Sequence, residues 1–326
     1  MNILIFGASG MIGLYLVDDL LKAGHNVIAT GRKQSVRQYF AKRNIQYLTV
    51  DISKREDFEK LPQEGIDVVI HLSAVMPATM NGYDPYRYFE VNTVGTLNVL
   101  EYCRKAKVRQ ILYTESHSDV GGYWGKKVIG AYEPYSVLYG NDHTVYIISK
   151  IAGLELIKHY HSESGISYAV FRCPNIYSYH PEQTYCVDGK PVKVAYRELI
   201  RKAMNSETIE IWGDCSVKKD IVYVKDLTQM MLKSIEKKIE AGIYNVSTGE
   251  ATSLEEQILG IIDVFSPVNN KSKVVYRPDK KVHLNNHRYD ISNAIKDLGY
   301  HPEYTYREML EDMKKEMQSD RFSSIE

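Results

Sequence analysis

A tyrosine followed four residues later by a lysine is a spacing with chemical use. A phenol titrates at about 10, too high for a base at neutral pH, and a nearby ammonium favours the phenolate. Such a tyrosine can take the proton of a sugar hydroxyl as hydride leaves the same carbon. The spacing occurs three times, at Tyr123/Lys127, Tyr146/Lys150 and Tyr276/Lys280. With 26 tyrosines in 326 residues it carries no weight by itself. Context separates the three. Tyr123 sits in the glycine-rich run Gly121-Gly122-Tyr123-Trp124-Gly125, a poor helix. Pro278 follows Tyr276 and breaks one. Only Tyr146 opens an amphipathic segment, with Ile148, Ile151, Ala152, Glu155 and Leu156 after it, so Tyr146 and Lys150 share a helix face. A bland surface Tyr–Lys pair is the alternative.

The first apolar run leads directly into Gly7-Ala8-Ser9-Gly10-Met11-Ile12-Gly13 and then into a helical pattern. Glycines at this spacing allow a tight strand-to-helix turn and close approach of backbone to a pyrophosphate, which the free N–H groups of the helix start attract. The placement after a strand and before a helix is the context that dinucleotide binding demands. A carboxylate at the end of the second strand would select NAD through the ribose 2′-hydroxyl. Thr30-Gly31-Arg32-Lys33 stands there instead, and an arginine fork suits a 2′-phosphate, so Arg32 leans the expectation toward NADP. A solvated basic turn is the other reading of Arg32. Asp51 and Ile52 follow the third strand, where Asp51 can accept from the adenine amino group or cap the next turn. Leu72, Ser73 and Ala74 close the fourth strand with small residues that admit the cofactor ribose. Lys150 can bind the nicotinamide ribose. Ser116 ends the fifth strand, where side chains face the ligand crevice, and can hydrogen-bond a substrate oxygen; Ser118 competes for the role, and a turn serine is the plain alternative.

These residues need elements to hold them. Short runs, rich in β-branched residues and apolar on both faces, occur at Ile3–Phe6, Asn26–Thr30, Ile45–Val50, Asp67–His71, Gln110–Thr114 and Ser167–Phe171. Amphipathic segments alternate with them at Met11–Lys22, Val36–Arg43, Asp57–Leu61, Tyr86–Lys105 and Val145–His161. The expectation is an α/β fold, a doubly wound, Rossmann-type parallel sheet over 1–172, with return segments at about 220–248. A smaller, discontinuous α/β substrate lobe over 173–326 completes it. Residues 174–192, with Pro174, Pro181, Gly189 and Pro191, read as irregular. Beyond them the pattern predicts a helix over Val192–Met204, a strand over Thr208–Ile211 and a strand–helix pair over Ile221–Ile239. A strand over Ile243–Ser247 follows, then helices near Leu254–Val264, Ser292–Leu298 and Tyr306–Met317.

Composition excludes other classes. Lys+Arg and Asp+Glu are 41 each, which builds no basic field for nucleic acid or membrane. Cys103, Cys173, Cys186 and Cys215 form no CxxC pair and read as reduced thiols of a cytoplasmic protein. No apolar run suits a membrane span, and the first residues do not resemble a signal peptide. No metal site is expected: there is no HExxH, His159 and His161 face opposite ways on a helix, and His283 and His287 lie in a loop.

Several ordered pieces resemble one family: GASGMIG, DVVIHLSA (67–74), VNTVGTLNVLEYC with Asn92, ILYTES, YIISK, FRCPNIYS, WGDCSVKKDIVYVKD (212–226), YNVSTGE (244–250) and DISNAIKDLGYHPEY (290–304). Together they are similar to the extended short-chain dehydrogenases/reductases of the nucleotide-sugar epimerase/dehydratase type, the family of UDP-glucose 4-epimerase-like enzymes. The resemblance implies a bound NAD or NADP held by Gly7, Ser9, Gly10, Met11, Ile12 and Gly13, with Asn92 among the cofactor residues. It also implies Tyr146 as base, Lys150 as its partner, Ser116 as the hydrogen-bonding hydroxyl, and a homodimer formed through two helices of each subunit. Three departures narrow the substrate. His117-Ser118 stand where dehydratases of the family place an acid pair, so 4,6-dehydration is not expected. Val120-Gly121-Gly122-Tyr123 replaces the usual Val-Tyr-Gly. Lys219 replaces the family's arginine and still binds phosphate, as a point charge. Asn175, Lys219 and Arg277 are the candidates for the nucleotide diphosphate of the substrate, with a turn residue and two solvated cations as the plain alternatives. The leading expectation is a nucleotide-sugar epimerase acting at C4 by transient hydride transfer. An NADPH-dependent reductase of a keto-sugar or other carbonyl is the second, and a non-enzymatic NAD(P)-sensing protein the third.

Overall fold

The computed structural model describes residues 1–80, 82–140, 142–181, 184–187, 190–280, 285–319 and 321–322. Six apolar runs become β1 (Asn2–Phe6), β2 (Asn26–Gly31), β3 (Gln46–Thr49), β4 (Val68–His71), β5 (Gln110–Ser116) and β6 (Ser167–Cys173). Between them lie α1 (Met11–Lys22), α2 (Arg37–Ala41), α3 (Pro85–Tyr88), α4 (Gly95–Lys105) and α5 (Asp142–Ser164). The segment expected as a helix near 57–61 is a 3₁₀ turn, Arg55–Lys60. The segment from 86 to 105 is broken by a π-helical turn, Phe89–Val94, between α3 and α4.

The stretch from 174 to 192 holds more order than its prolines suggest: β7 (Asn175–Tyr177), β8 (Thr184–Val187) and β9 (Lys190–Lys193). Because β9 ends at Lys193, α6 runs over Ala195–Met204 rather than from Val192. Gly189 and His283 lie outside the described residues. The chain continues through β10 (Ile209–Trp212), β11 (Lys218–Lys219), β12 (Ile221–Tyr223), α7 (Val224–Glu236), β13 (Ala241–Asn245), β14 (Thr252–Ser253), α8 (Leu254–Phe265), β15 (Val274–Arg277), α9 (Ser292–Leu298) and α10 (Tyr306–Glu316).

The main sheet has seven strands in the order β13-β6-β5-β4-β1-β2-β3, all parallel. The order reverses at β1, which pairs β2 on one side and β4 on the other, and ligands of open α/β sheets sit at such a switch. Side chains alternate faces along each strand. Ile3 and Ile5 join the apolar cluster that runs through α1, α6, α7, α8 and α10, whereas Leu4 and Phe6 join the one under α4 and α5. On β5, Ile111 and Tyr113 point to the α5 side. The late strand β13 returns to pair with β6, as the second half of the chain must if it is to share this core. No helix among the described residues is long and apolar enough to cross a membrane.

Candidate active site

Four strand ends share one edge of the parallel sheet: Gly7 follows β1, Leu72 follows β4, Ser116 ends β5 and Cys173 ends β6. The residues after β1 fit a dinucleotide. Gly7 has φ +87°, and a Cβ there would meet the Ser73 backbone nitrogen at 2.8 Å, so only glycine lets this turn lie against the end of β4. A Cβ on Gly13 would meet the Ala8 carbonyl oxygen at 2.6 Å. α1 starts at Met11 after Gly10 with no side-chain cap, which leaves its first N–H groups for an anion. Met11 and Ile12 belong to this first turn, and Ser9 lies against Gly31 across the loop. Arg32 is exposed at the end of β2, and no partner holds it among the described residues.

Two further cofactor candidates also make contacts within the protein. Asp51 Oδ1 accepts from the Ser53 N–H at 3.1 Å and the Ser53 hydroxyl at 2.8 Å, the turn-capping role, while Oδ2 lies 3.9 Å from Arg87. The Ile52 carbonyl accepts from Asn98 Nδ2 at 2.8 Å. Asn92, expected as a cofactor residue, is 1 % exposed and fully engaged within the protein. Its Oδ1 accepts from the Val75 N–H at 2.8 Å, and its Nδ2 donates to the Val75 carbonyl at 2.9 Å and to Ser149 Oγ at 3.0 Å. The amide has no hydrogen left for a ligand, so it ties the loop after β4 to α5. Asn92→Ala would leave the buried Val75 N–H unpaired and is expected to cost about 1–3 kcal/mol, measured by denaturant unfolding.

Tyr146 and Lys150 lie on α5, facing β5. Burial pushes the Tyr146 phenol up, the Glu115 carboxylate adds to this, and a hydrogen bond with Ser116 works against both. The expected lowering by Lys150 is absent from these influences, and desolvation of the buried phenol dominates in the protein alone. Lys150 is also buried, 3 % exposed, and desolvation lowers its affinity for a proton while Glu115 raises it. Its Nζ sits 3.8 Å from the centre of the Tyr113 ring. Ser116 Oγ accepts from the Ser118 backbone N–H at 3.3 Å.

Beyond Ser116 the chain packs an aromatic wall. His117 Nδ1 lies 2.7 Å from the Tyr289 hydroxyl, and Trp124 Nε1 donates to the same oxygen at 3.1 Å. The ring of His287 lies 5.1 Å from that of His117. Burial keeps both imidazoles neutral, His287 at about 4. Asn175 pairs with Ile221 across β7 and β12, two residues from Lys219. Lys219 bridges His287 backbone to backbone, and burial lowers its proton affinity. Arg277 stands apart from these two: on the β10–β15 pair, its Nε binds Glu210 at 3.2 Å, as does Lys280 at 2.7 Å. Arg288, the neighbour of His287, is a cation that the residue patterns passed over; its Nε donates to the Gly249 carbonyl at 2.9 Å. The motif DISNAIKDLGY starts two residues after it and was a usable pointer. Glu115 was missed as well. Among the described residues, no group of three or more His, Cys, Asp or Glu could hold a metal ion.

The chain belongs to the NAD dependent epimerase/dehydratase family, which it matches over residues 3–247. It is an enzyme of the extended short-chain dehydrogenase/reductase type, within the nucleotide-sugar epimerase/decarboxylase group. It is 27 % identical over 317 residues to a putative UDP-glucose 4-epimerase of Methanocaldococcus jannaschii, covering 94 % of this chain and 95 % of that one. It is 25 % identical over 337 residues to UDP-glucuronic acid decarboxylase 4 of Arabidopsis thaliana, covering 99 % of this chain and 70 % of that one. The crystal structure of UDP-glucose 4-epimerase from Thermotoga maritima, solved with UDP-glucose, has the same fold: TM-score 0.80 and 22 % identity, with 98 % of this chain and all (100 %) of that one covered.

Proposed function

We propose that the chain is an NAD(P)-dependent nucleotide-sugar epimerase acting at C4. The observation that supports the reading is the hydrogen bond between Tyr146 and Ser116, with Lys150 over the ring of Tyr113 on the same strand and the glycine loop following β1 of the same parallel sheet. Residues 7–13 with Leu72, Ser73 and Ala74 would hold the dinucleotide, and Lys150 its nicotinamide ribose. Bound there, an oxidised nicotinamide supplies a reversible hydride acceptor and a positive charge. Tyr146 takes the proton of the C4 hydroxyl and returns it to the same oxygen once the sugar has presented its other face. Ser116 hydrogen-bonds that oxygen as it becomes a ketone. Lys219, Asn175 and Arg288 hold the diphosphate; Arg277, bound to Glu210, is the weakest of the substrate candidates. Exposed Phe89, Val94 and Ile148, on the turn before α4 and on α5, support a homodimer through those helices.

The test is to denature the purified protein, identify the released nucleotide, and incubate the native protein with UDP-sugars. About one NAD or NADP per chain with C4 epimerisation is the expected result. An empty site with tighter binding of NADPH than NADH overturns it in favour of a keto-sugar reductase, the second reading, which exposed Arg32 favours. Release of carbon dioxide from UDP-glucuronic acid would reassign the reaction to decarboxylation. If Arg32 reads a 2′-phosphate, Arg32→Ala weakens NADP(H) binding about tenfold or more and leaves NAD(H) binding unchanged, as calorimetry would show.

A further inference from the structure

Bound as proposed, a nucleotide sugar has two fixed ends: its C4 oxygen at Ser116 and Tyr146, and its C1 diphosphate at Lys219 and Arg288. The sugar ring lies between them. One polar side chain stands between the same two ends. His117 follows Ser116 directly, and its half-buried ring packs edge-on to that of His287, 5.1 Å between centres. His287 in turn bridges Lys219 backbone to backbone and precedes Arg288 in the chain.

A hydrogen-bond relay fixes which nitrogen of His117 carries the proton. An indole nitrogen can only donate, and Trp124 Nε1 donates to the Tyr289 hydroxyl at 3.1 Å. Tyr289 is 2 % exposed, so the hydrogen of its hydroxyl needs an acceptor inside the protein. Among the described hydrogen bonds that acceptor is His117 Nδ1, at 2.7 Å. Nδ1 therefore accepts, and the proton of the neutral ring sits on Nε2. Burial disfavours a second proton, as do His287, Arg172 and Lys219 around the ring. The relay is itself anchored, since the Tyr289 N–H donates to the buried Asp220 carboxylate. The Nε2–H of His117 takes part in none of the described hydrogen bonds. A neutral donor suits a sugar oxygen, whereas the diphosphate calls for the cations Lys219 and Arg288.

We propose, on the nucleotide-sugar reading, that His117 is a specificity-determining residue whose Nε2–H donates to an oxygen on C2 or C3 of the sugar. Tyr289, with Trp124 behind it, is the positioning residue that holds the required tautomer. His117 then recognises the sugar and not the nucleotide.

The experiment is calorimetry of the full chain with two probes, UDP and UDP-glucose. In His117→Ala the affinity for UDP-glucose is expected to fall about tenfold, the loss of one well-made hydrogen bond, while that for UDP is unchanged. His117→Gln, whose amide keeps a donor, is expected to recover part of the loss. Tyr289→Phe frees the tautomer and is expected to weaken UDP-glucose about threefold, again without effect on UDP. A general loss of structure would lower both affinities together, so equal losses, or no loss for either probe, overturn the inference. If His117→Ala does not fold, NMR of the labelled imidazole nitrogens in the parent chain decides. UDP-glucose, and not UDP, should shift the Nε2 resonance of His117, and a resonance that both probes leave in place overturns the inference. A parent chain that binds neither probe removes the nucleotide-sugar reading and this inference with it. UDP-glucose binding that His117→Ala leaves intact removes the inference alone.

Discussion

Tyr146→Phe is expected to lower turnover of the nucleotide sugar by about 10²–10⁴-fold, the usual yield of a positioned acid–base group, with the fold and the retained cofactor intact. The substitution removes one oxygen. The ring stays packed beside Tyr88, 6.1 Å between centroids. The lost hydrogen bond with Ser116 is worth about 1 kcal/mol of stability. The effect on rate therefore separates from the effect on folding, and three measurements on one preparation check it: kcat, thermal midpoint and nucleotide content. Activity within twofold of the parent would remove Tyr146 from the mechanism. The pH dependence has a definite sign. Burial and Glu115 both raise the phenol, so the base form is scarce in the protein alone and kcat should rise with pH until the base has ionised. A bound positive charge near the phenol moves that rise to lower pH.

What could be read from the residues, and what could not, follows from how each signal is encoded. The parallel sheet was legible because a strand covered on both faces must be apolar along its middle, and Ile3–Phe6, Val27–Ala29, Val68–Ile70, Ile111–Tyr113 and Ala169–Phe171 are. The glycine loop was legible because backbone approach at Gly7 and Gly13 admits no side chain, which leaves a mark in the sequence itself. Lys150 was legible because helical spacing ties it to Tyr146. Glu115 was not, since a carboxylate near a strand end reads as solvated, and only the alternation of a particular register turns it inward. Asn92 was named through its motif alone, and only tertiary contacts show its amide hydrogens taken up by Val75 and Ser149. Where Arg277 and Arg288 end up is a matter of tertiary pairing. β15 lines up with β10 and delivers Arg277 to Glu210, whereas the bridge from Lys219 to His287 brings Arg288 close. Neither pairing leaves a periodic trace.

Asp119→Ala is expected to destabilise the protein by about 3–5 kcal/mol, the cost of leaving a buried charge without its partner. Asp119 is 0 % exposed and Arg172 is 2 % exposed. Arg172 Nε reaches both carboxylate oxygens, at 2.9 and 3.0 Å, while Nη1 donates to the Ala131 carbonyl at 2.8 Å and to Asn245 Oδ1 at 3.0 Å. Asn245 then donates to the Ile129 and Asp290 carbonyls at 2.9 and 3.1 Å. One guanidinium thus ties the ends of β6 and β13 to the turn after Ser116 and, through Asn245, to the segment that carries Tyr289. Without Asp119, the guanidinium keeps its neutral acceptors and loses its only counter-charge among the described contacts, and the turn that positions Ser116 loses its anchor. Denaturant unfolding should show a lowered midpoint for Asp119→Ala and a smaller loss for Asp119→Leu combined with Arg172→Met, because removing both charges leaves no ion stranded. Additive losses in the double variant would mean that the pair acts through shape rather than charge. In that case the turn after β5 would be held by the aromatic wall of His117, Trp124 and Tyr289 alone.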